Sequence, residues 1–159
     1  MTHIVGIDPG LTGGLAVLSP AGELECLADL PVIRDGKLSW VDGGRLQSLL
    51  IDALHGQPAR VAIERVQAFP SQGRSSAFNF GVGFGSVLSI LQARRLAIEL
   101  VTPAVWKRAM GLSSDKRVSL HKARLLYPEA DLGLAKHDGR AEALLLARWL
   151  LQRDRSLAA

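Results

Sequence analysis

The stretch that decides the fold is Ile4-Val5-Gly6-Ile7-Asp8-Pro9-Gly10-Leu11-Thr12-Gly13-Gly14-Leu15-Ala16-Val17-Leu18. His3 to Ile7 is a β-branched run and Gly14 to Leu18 a second apolar run. The five residues Pro9 to Gly13 between Asp8 and Gly14 are dense in turn formers, so the two runs read as antiparallel strands joined by a tight turn. Ser19-Pro20-Ala21-Gly22 makes a further turn, and Glu23 to Leu30 alternates loosely as a third strand. A dinucleotide-binding reading of these glycines requires a helix directly after them, and Leu15 to Leu18 is a strand, so no nucleotide cofactor is expected.

Outward from this meander the period changes. Leu46, Leu49, Leu50 and Leu54 recur at helical spacing behind an Asp42 cap, and Arg60 to Ile63 reads as a buried strand. Ser75 to Ala93 is apolar and carries Gly81, Gly83 and Gly85. Its first part, Phe78 to Gly85, is ambiguous on period alone, while Val87, Leu88, Ile90 and Leu91 favour a helix. Each glycine costs a helix roughly 1 kcal/mol against alanine, so the three are expected to let it lie close to the sheet or to a partner subunit. Ala97 to Val101 is a strand closed by Thr102-Pro103, and helices are predicted at 104–110, 114–126 and 138–153. The expectation is an α/β fold. A three-stranded antiparallel meander extended by two crossover strands gives a five-stranded mixed sheet with helices on both faces. No repeat or linker is visible, so residues 1–159 read as a single domain.

The 159 residues are 48% hydrophobic and 21% charged, the makeup of a globule with a buried core. The apolar runs stop short of the roughly 18 residues needed to cross a bilayer, and Met1 opens no basic-then-apolar leader. The expectation is a cytoplasmic protein with no membrane partner. Cys26 is the single cysteine, which excludes an intrachain disulfide framework and any multi-cysteine metal site, and it reads as a small core residue. The net charge of +4 is uneven: residues 1–102 hold 8 Lys and Arg against 9 Asp and Glu, and residues 103–159 hold 11 against 6. Fourteen of the 19 cations are arginine, whose planar fork suits phosphate. A nucleic-acid surface would therefore be drawn mainly from the last third.

Asp8 ends the first strand and Glu64 ends the fourth. If those two strands pair, both acids emerge side by side at one sheet edge. Asp138 and Glu142 lie four apart at the start of the last helix and share one face. Clustered carboxylates repel one another unless a cation sits among them. Oxygen ligands suit Mg²⁺ or Mn²⁺, and two such ions clamp a phosphodiester while one activates water. Each acid also has a plainer reading: a turn cap for Asp8, a pair with Arg65 or Arg94 for Glu64, a helix cap for Asp138 and a solvent-facing position for Glu142.

The motifs Gly6-Ile7-Asp8-Pro9-Gly10-Leu11-Thr12-Gly13-Gly14, Ala62-Ile63-Glu64, Pro103-Ala104-Val105-Trp106-Lys107-Arg108 and Lys136-His137-Asp138-Gly139-Arg140-Ala141-Glu142-Ala143-Leu144-Leu145 together resemble the RuvC-like Holliday junction resolvases of bacteria and their phages. The resemblance spans almost the whole chain. It implies a ribonuclease H-like fold, a homodimer, and divalent-metal-dependent nicking of two opposing strands of a four-way DNA junction. It implies also that Asp8, Glu64, Asp138 and Glu142 are the catalytic, metal-binding acids, holding two Mg²⁺ per site with Mn²⁺ as a substitute. The last pair departs from the family, whose bacterial members usually place it three residues apart, and His137 stands as an alternative ligand.

By the same resemblance Lys107 and Lys116 match phosphate-binding positions most closely, with Arg108, Arg117 and Lys122 beside them. The segment Gln67 to Ser76 would reach the junction centre, where Phe69 would wedge against an unstacked base and Arg74 hold a phosphate. Trp106 reads as core. Rival readings are a nuclease for forks or flaps and a non-cleaving junction-binding relative. Actin-like and sugar-kinase ATPases share the meander and the early acid, but bind nucleotide between two such domains.

Overall fold

Val5, Ile7, Leu15, Val17, Val61 and Ile63 bury on one face of a sheet, and Ile4, Ala16, Leu18 and Ala62 on the other. Strands that bury both faces must be covered by helices on both sides, which the near-continuous apolar runs anticipate. The computed structural model describes residues 2–36, 38–65 and 73–158. In chain order the strands are β1 (His3–Asp8), β2 (Gly14–Leu18), β3 (Leu24–Asp29), β4 (Val32–Asp35), β5 (Leu38–Val41), β6 (Ala59–Glu64) and β7 (Ala97–Val101). The helices are α1 (Gly43–Leu54), α2 (Arg74–Ala93), α3 (Pro103–Ala109), α4 (Lys116–Leu126) and α5 (Asp138–Ala158), with a short 3₁₀ turn at Ala135–His137.

The main sheet has the order β3-β2-β1-β6-β7, antiparallel across the meander and parallel from β1 to β6 to β7. This is the expected five-stranded mixed sheet. α1 and α2 cover the face of Val5 and Ile7, while α3, α4 and α5 cover the other. α5 lies directly on the backbones of β1 and β2. Gly139, Ala143 and Ala147 recur every four residues, so they form one stripe along the helix. A Cβ built on Gly139 would stand 2.2 Å from the Thr12 carbonyl oxygen, one on Gly14 2.7 Å from Arg140 Cα, and one on Gly6 2.6 Å from the Ala147 nitrogen. A parallel backbone bridge between Gly13 and Gly139 locks the start of α5 to the loop after β1.

Three features differ from expectation. β4 and β5 form a separate two-stranded hairpin, with Val32 opposite Val41 and Asp35 opposite Leu38, where no strands were predicted. α2 is helical throughout, and among the described residues only Gly83 of its three glycines has a neighbour beyond the helix. A Cβ there would meet Val41 Cγ2 at an ordinary 3.6 Å, while Gly81 and Gly85 face open space. The glycines therefore do not serve a close approach to the sheet. By length and composition α2 is also long and apolar enough to cross a bilayer, against the expectation that the apolar runs stop short of that length; Gly83, Val87 and Leu91 are its buried residues and most of the rest is not buried. The third difference concerns the late basic residues. Arg140 pairs with Asp29 and Asp131, Arg153 with Glu99, and Arg124 and Arg155 donate to backbone carbonyls. Much of the basic excess thus holds the fold together.

Candidate metal centre

β1 and β6 run parallel with Ile7 opposite Ile63, so the next residues, Asp8 and Glu64, end adjacent strands at the same edge. They meet Glu142 of α5 on the lining of one cleft of about 720 Å³, which Asn79 and Phe80 of α2 also line. Asp138, one turn before Glu142, is close enough for its charge to act on Asp8. Asp8, Glu64 and Glu142 therefore share one cleft, with Asp138 within reach of Asp8 by charge, and the glycine contacts under α5 are what set the helix bearing the last two against the strand bearing the first.

Each acid has a defined partner. Gly10 N–H donates to Asp8 Oδ1 at 3.2 Å, and Trp106 Nε1–H to Glu64 Oε2 at 2.9 Å. Glu142, only 4% exposed, accepts from Lys107 Nζ at 2.5 Å and from Ser119 Oγ at 3.3 Å, both on Oε1. Lys116 Nζ lies 2.7 Å from Asp138 Oδ2. Burial lifts the Asp8 carboxyl to about 6, helped by the charges of Glu142 and Asp138 and opposed by the Gly10 N–H and Lys116. Burial also lifts Glu64 to about 7, opposed by the Trp106 hydrogen bond. Two desolvated carboxyls that resist ionisation on their own, with further carboxylate oxygens beside them, suit a hard divalent cation. Among the described residues no three ligating side chains stand close enough to hold an ion together as they are. Lysines pair with two of the carboxylates instead.

His137 is buried, with Nδ1 3.9 Å from Asp131 Oδ1, and does not line the cleft. Arg108 is exposed and lines a neighbouring hollow of about 570 Å³ with Lys107, Ser113 and Ser114. Arg117 is exposed and paired with Asp115 at 2.8 Å. Lys122 turns inward, its Nζ donating to the Met110 carbonyl at the end of α3. Arg74 opens α2 and lines a separate hollow with Phe78 and Asn79. Phe69 lies outside the described residues. The sequence did not reveal that Trp106, fully buried as expected, also holds Glu64, nor that Ser119 holds Glu142. Both are contacts between distant elements, and the only local sign was that Trp106 precedes the basic pair Lys107-Arg108.

No family model and no curated protein matches the chain. Among solved structures it is similar to T. thermophilus RuvC in complex with Holliday junction substrate, at 22% identity over 98% of this chain and 96% of that one, with a TM-score of 0.69. It is also similar to a further Thermus thermophilus RuvC structure, at 19% identity over 98% and 97% of the two chains, with a TM-score of 0.59. The chain has the fold of these proteins over essentially its whole length, the ribonuclease H-like fold that the acidic motifs implied.

Proposed function

We propose that this chain is a divalent-metal-dependent endonuclease that resolves four-way DNA junctions by nicking two opposing strands. The observation that carries this reading is the convergence of Asp8, Glu64 and Glu142 from three separate parts of the chain onto one cleft lined also by Lys107 and Lys116, with Asp138 near enough for its charge to act on Asp8. Support comes from the fold shared with a RuvC structure that holds a Holliday junction.

Asp8, Glu64, Asp138 and Glu142 would hold the metal, which when bound supplies Lewis-acid activation of water and of the phosphodiester. The chain's own residues prepare the site. Trp106 fixes the Glu64 carboxylate through one oxygen, Oε2. Ser119 fixes Glu142 in the same way. Asn79 and Phe80 of α2 also line the cleft. Lys107, Lys116 and Arg108 offer positive charge to the strand backbone, which places DNA without reading its sequence.

Cutting both strands symmetrically needs two sites at a fixed distance, and α2 offers a surface for a second copy. Phe78 and Val82 are 67% and 40% exposed and lie one turn apart, with Gly81 and Gly85 facing open space beside them. A C2 pair of this chain through α2 matches the near two-fold symmetry of an open junction.

The deciding experiment is a nicking assay on synthetic junctions, forks, flaps and linear duplex with Mg²⁺ or Mn²⁺. Paired nicks in opposing arms of the junction, lost with a chelator and with Asp8→Asn, are expected. Stronger cutting of forks or flaps would move the substrate class, and junction binding without cutting in either metal would overturn the nuclease reading.

A further inference from the structure

The two lysines beside the acids stand where cations would have to bind. Lys107 Nζ lies 2.5 Å from Glu142 Oε1, with the side chains 14% and 5% exposed, and Lys116 Nζ lies 2.7 Å from Asp138 Oδ2. A carboxylate that ligates a divalent cation cannot keep an ammonium group at the same range without strong repulsion between the two positive charges. In the metal-free protein each of these ammonium groups is thus engaged by a carboxylate rather than offered to a phosphate.

Resting on the metal-dependent nuclease reading, we propose that Lys107 and Lys116 are exchangeable counter-ions of this cleft. They hold Glu142 and Asp138 in the metal-free protein, yield these carboxylates to divalent cations, and then turn their ammonium groups to a DNA phosphate. The geometry supports the exchange at three points. Ser119 Oγ keeps a hydrogen bond to Glu142 Oε1, so the carboxylate stays placed when Lys107 leaves. Lys107 Nζ lies 5.3 Å from the centre of the Trp106 ring, whose π face holds the freed cation at the cleft. Lys116 opens α4 with its side chain 54% exposed, and has room to swing. Metal and DNA then bind with positive coupling, because each frees or neutralises what the other needs.

The test measures lysine acylation by an N-hydroxysuccinimide ester with mass spectrometry, on the full chain with and without saturating Mg²⁺, with exposed Lys136 as the internal reference. Mg²⁺ binding is followed in parallel by calorimetry, without DNA. The acylation rate of Lys107 is expected to rise about tenfold on Mg²⁺ binding, the size of one lost charge-assisted hydrogen bond. Glu142→Gln should show the raised rate without Mg²⁺. Binding heat with Lys107 still protected would overturn the exchange and leave the metal site standing. No binding heat and no change in acylation would overturn the exchange together with the metal-site reading.

Discussion

The backbone of Ala143 rests on Gly6: a Cβ on Gly6 would stand 2.0 Å from the Ala143 carbonyl oxygen. That contact seats the helix bearing Asp138 and Glu142 against the strand bearing Asp8. Because the clash is with backbone, no side-chain rotation relieves it. Gly6→Ala should therefore cost about 3 kcal/mol or more, in the upper range of overpacked cores, and lower the thermal midpoint well beyond the effect of alanine at open Gly73.

Asp8→Asn and Glu64→Gln should each reduce junction cleavage by at least about a hundredfold while leaving junction binding intact, because an amide keeps the shape but cannot balance divalent charge. Asp138→Asn should be inactive and Glu142→Gln severely impaired. His137→Ala should retain activity in Mg²⁺, since His137 faces Asp131 rather than the cleft. Single-turnover nicking and gel-shift titration check all five variants. An active Glu142→Gln beside a dead, folded His137→Ala would place the histidine in the site.

The raised acids make metal-free stability depend on pH. Asp8 and Glu64 hold their protons up to about 6 and about 7 in the folded chain, against ordinary values of 3.8 and 4.5. The folded state therefore binds more protons than the unfolded state between about pH 4 and 7, and these two groups destabilise it progressively as pH rises through that window. In chelator, the melting temperature should fall from pH 5 to pH 8 more steeply for wild type than for the Asp8→Asn, Glu64→Gln double variant. Added Mg²⁺ at pH 8 should raise the wild type alone.

Val82→Asp or Phe78→Asp would place charge on the exposed stripe of α2. If α2 pairs two copies, either change should convert a species of twice 17.1 kDa into one of 17.1 kDa in sedimentation at micromolar concentration. Wild type sedimenting as a monomer, with and without junction DNA, would remove α2 as an interface.

Arg108 is exposed and shares the hollow beside the cleft with Lys107. Arg108→Ala should weaken binding to every DNA and lower the slope of log affinity against log salt by about one, the signature of a lost phosphate contact. Lys122→Ala should leave that slope unchanged and lower stability instead, because Lys122 is turned to the Met110 carbonyl.

The parts of this fold that could be read from the chain are those where one strand or helix carries its own signal. Asp8 and Glu64 each follow a run of buried residues, so the strand ends and the acids were legible together. Ala97–Val101 was readable to the residue, because Thr102-Pro103 closes it. The β4–β5 hairpin was not, although Asp35-Gly36 is a strong turn pair, because Ile33, Arg34 and Asp35 are exposed and supply little apolar alternation. The pairing of Lys107 with Glu142 was equally hidden. It joins α3 to α5 across 35 residues, and nothing in the local pattern distinguishes a lysine bound to an acid from one facing solvent.

The bridge between Gly13 and Gly139 has a consequence for ancestry. The elements that carry the acids meet backbone to backbone, so most side chains elsewhere can be exchanged over generations without moving the acids relative to one another. A fold held this way tolerates wide change in sequence, as the fold shared at 22% identity with a TM-score of 0.69 illustrates. Distant cousins of this chain are then better sought by the joint spacing of Gly6, Asp8 and Gly13 with Gly139, Glu142, Ala143 and Ala147 than by overall identity.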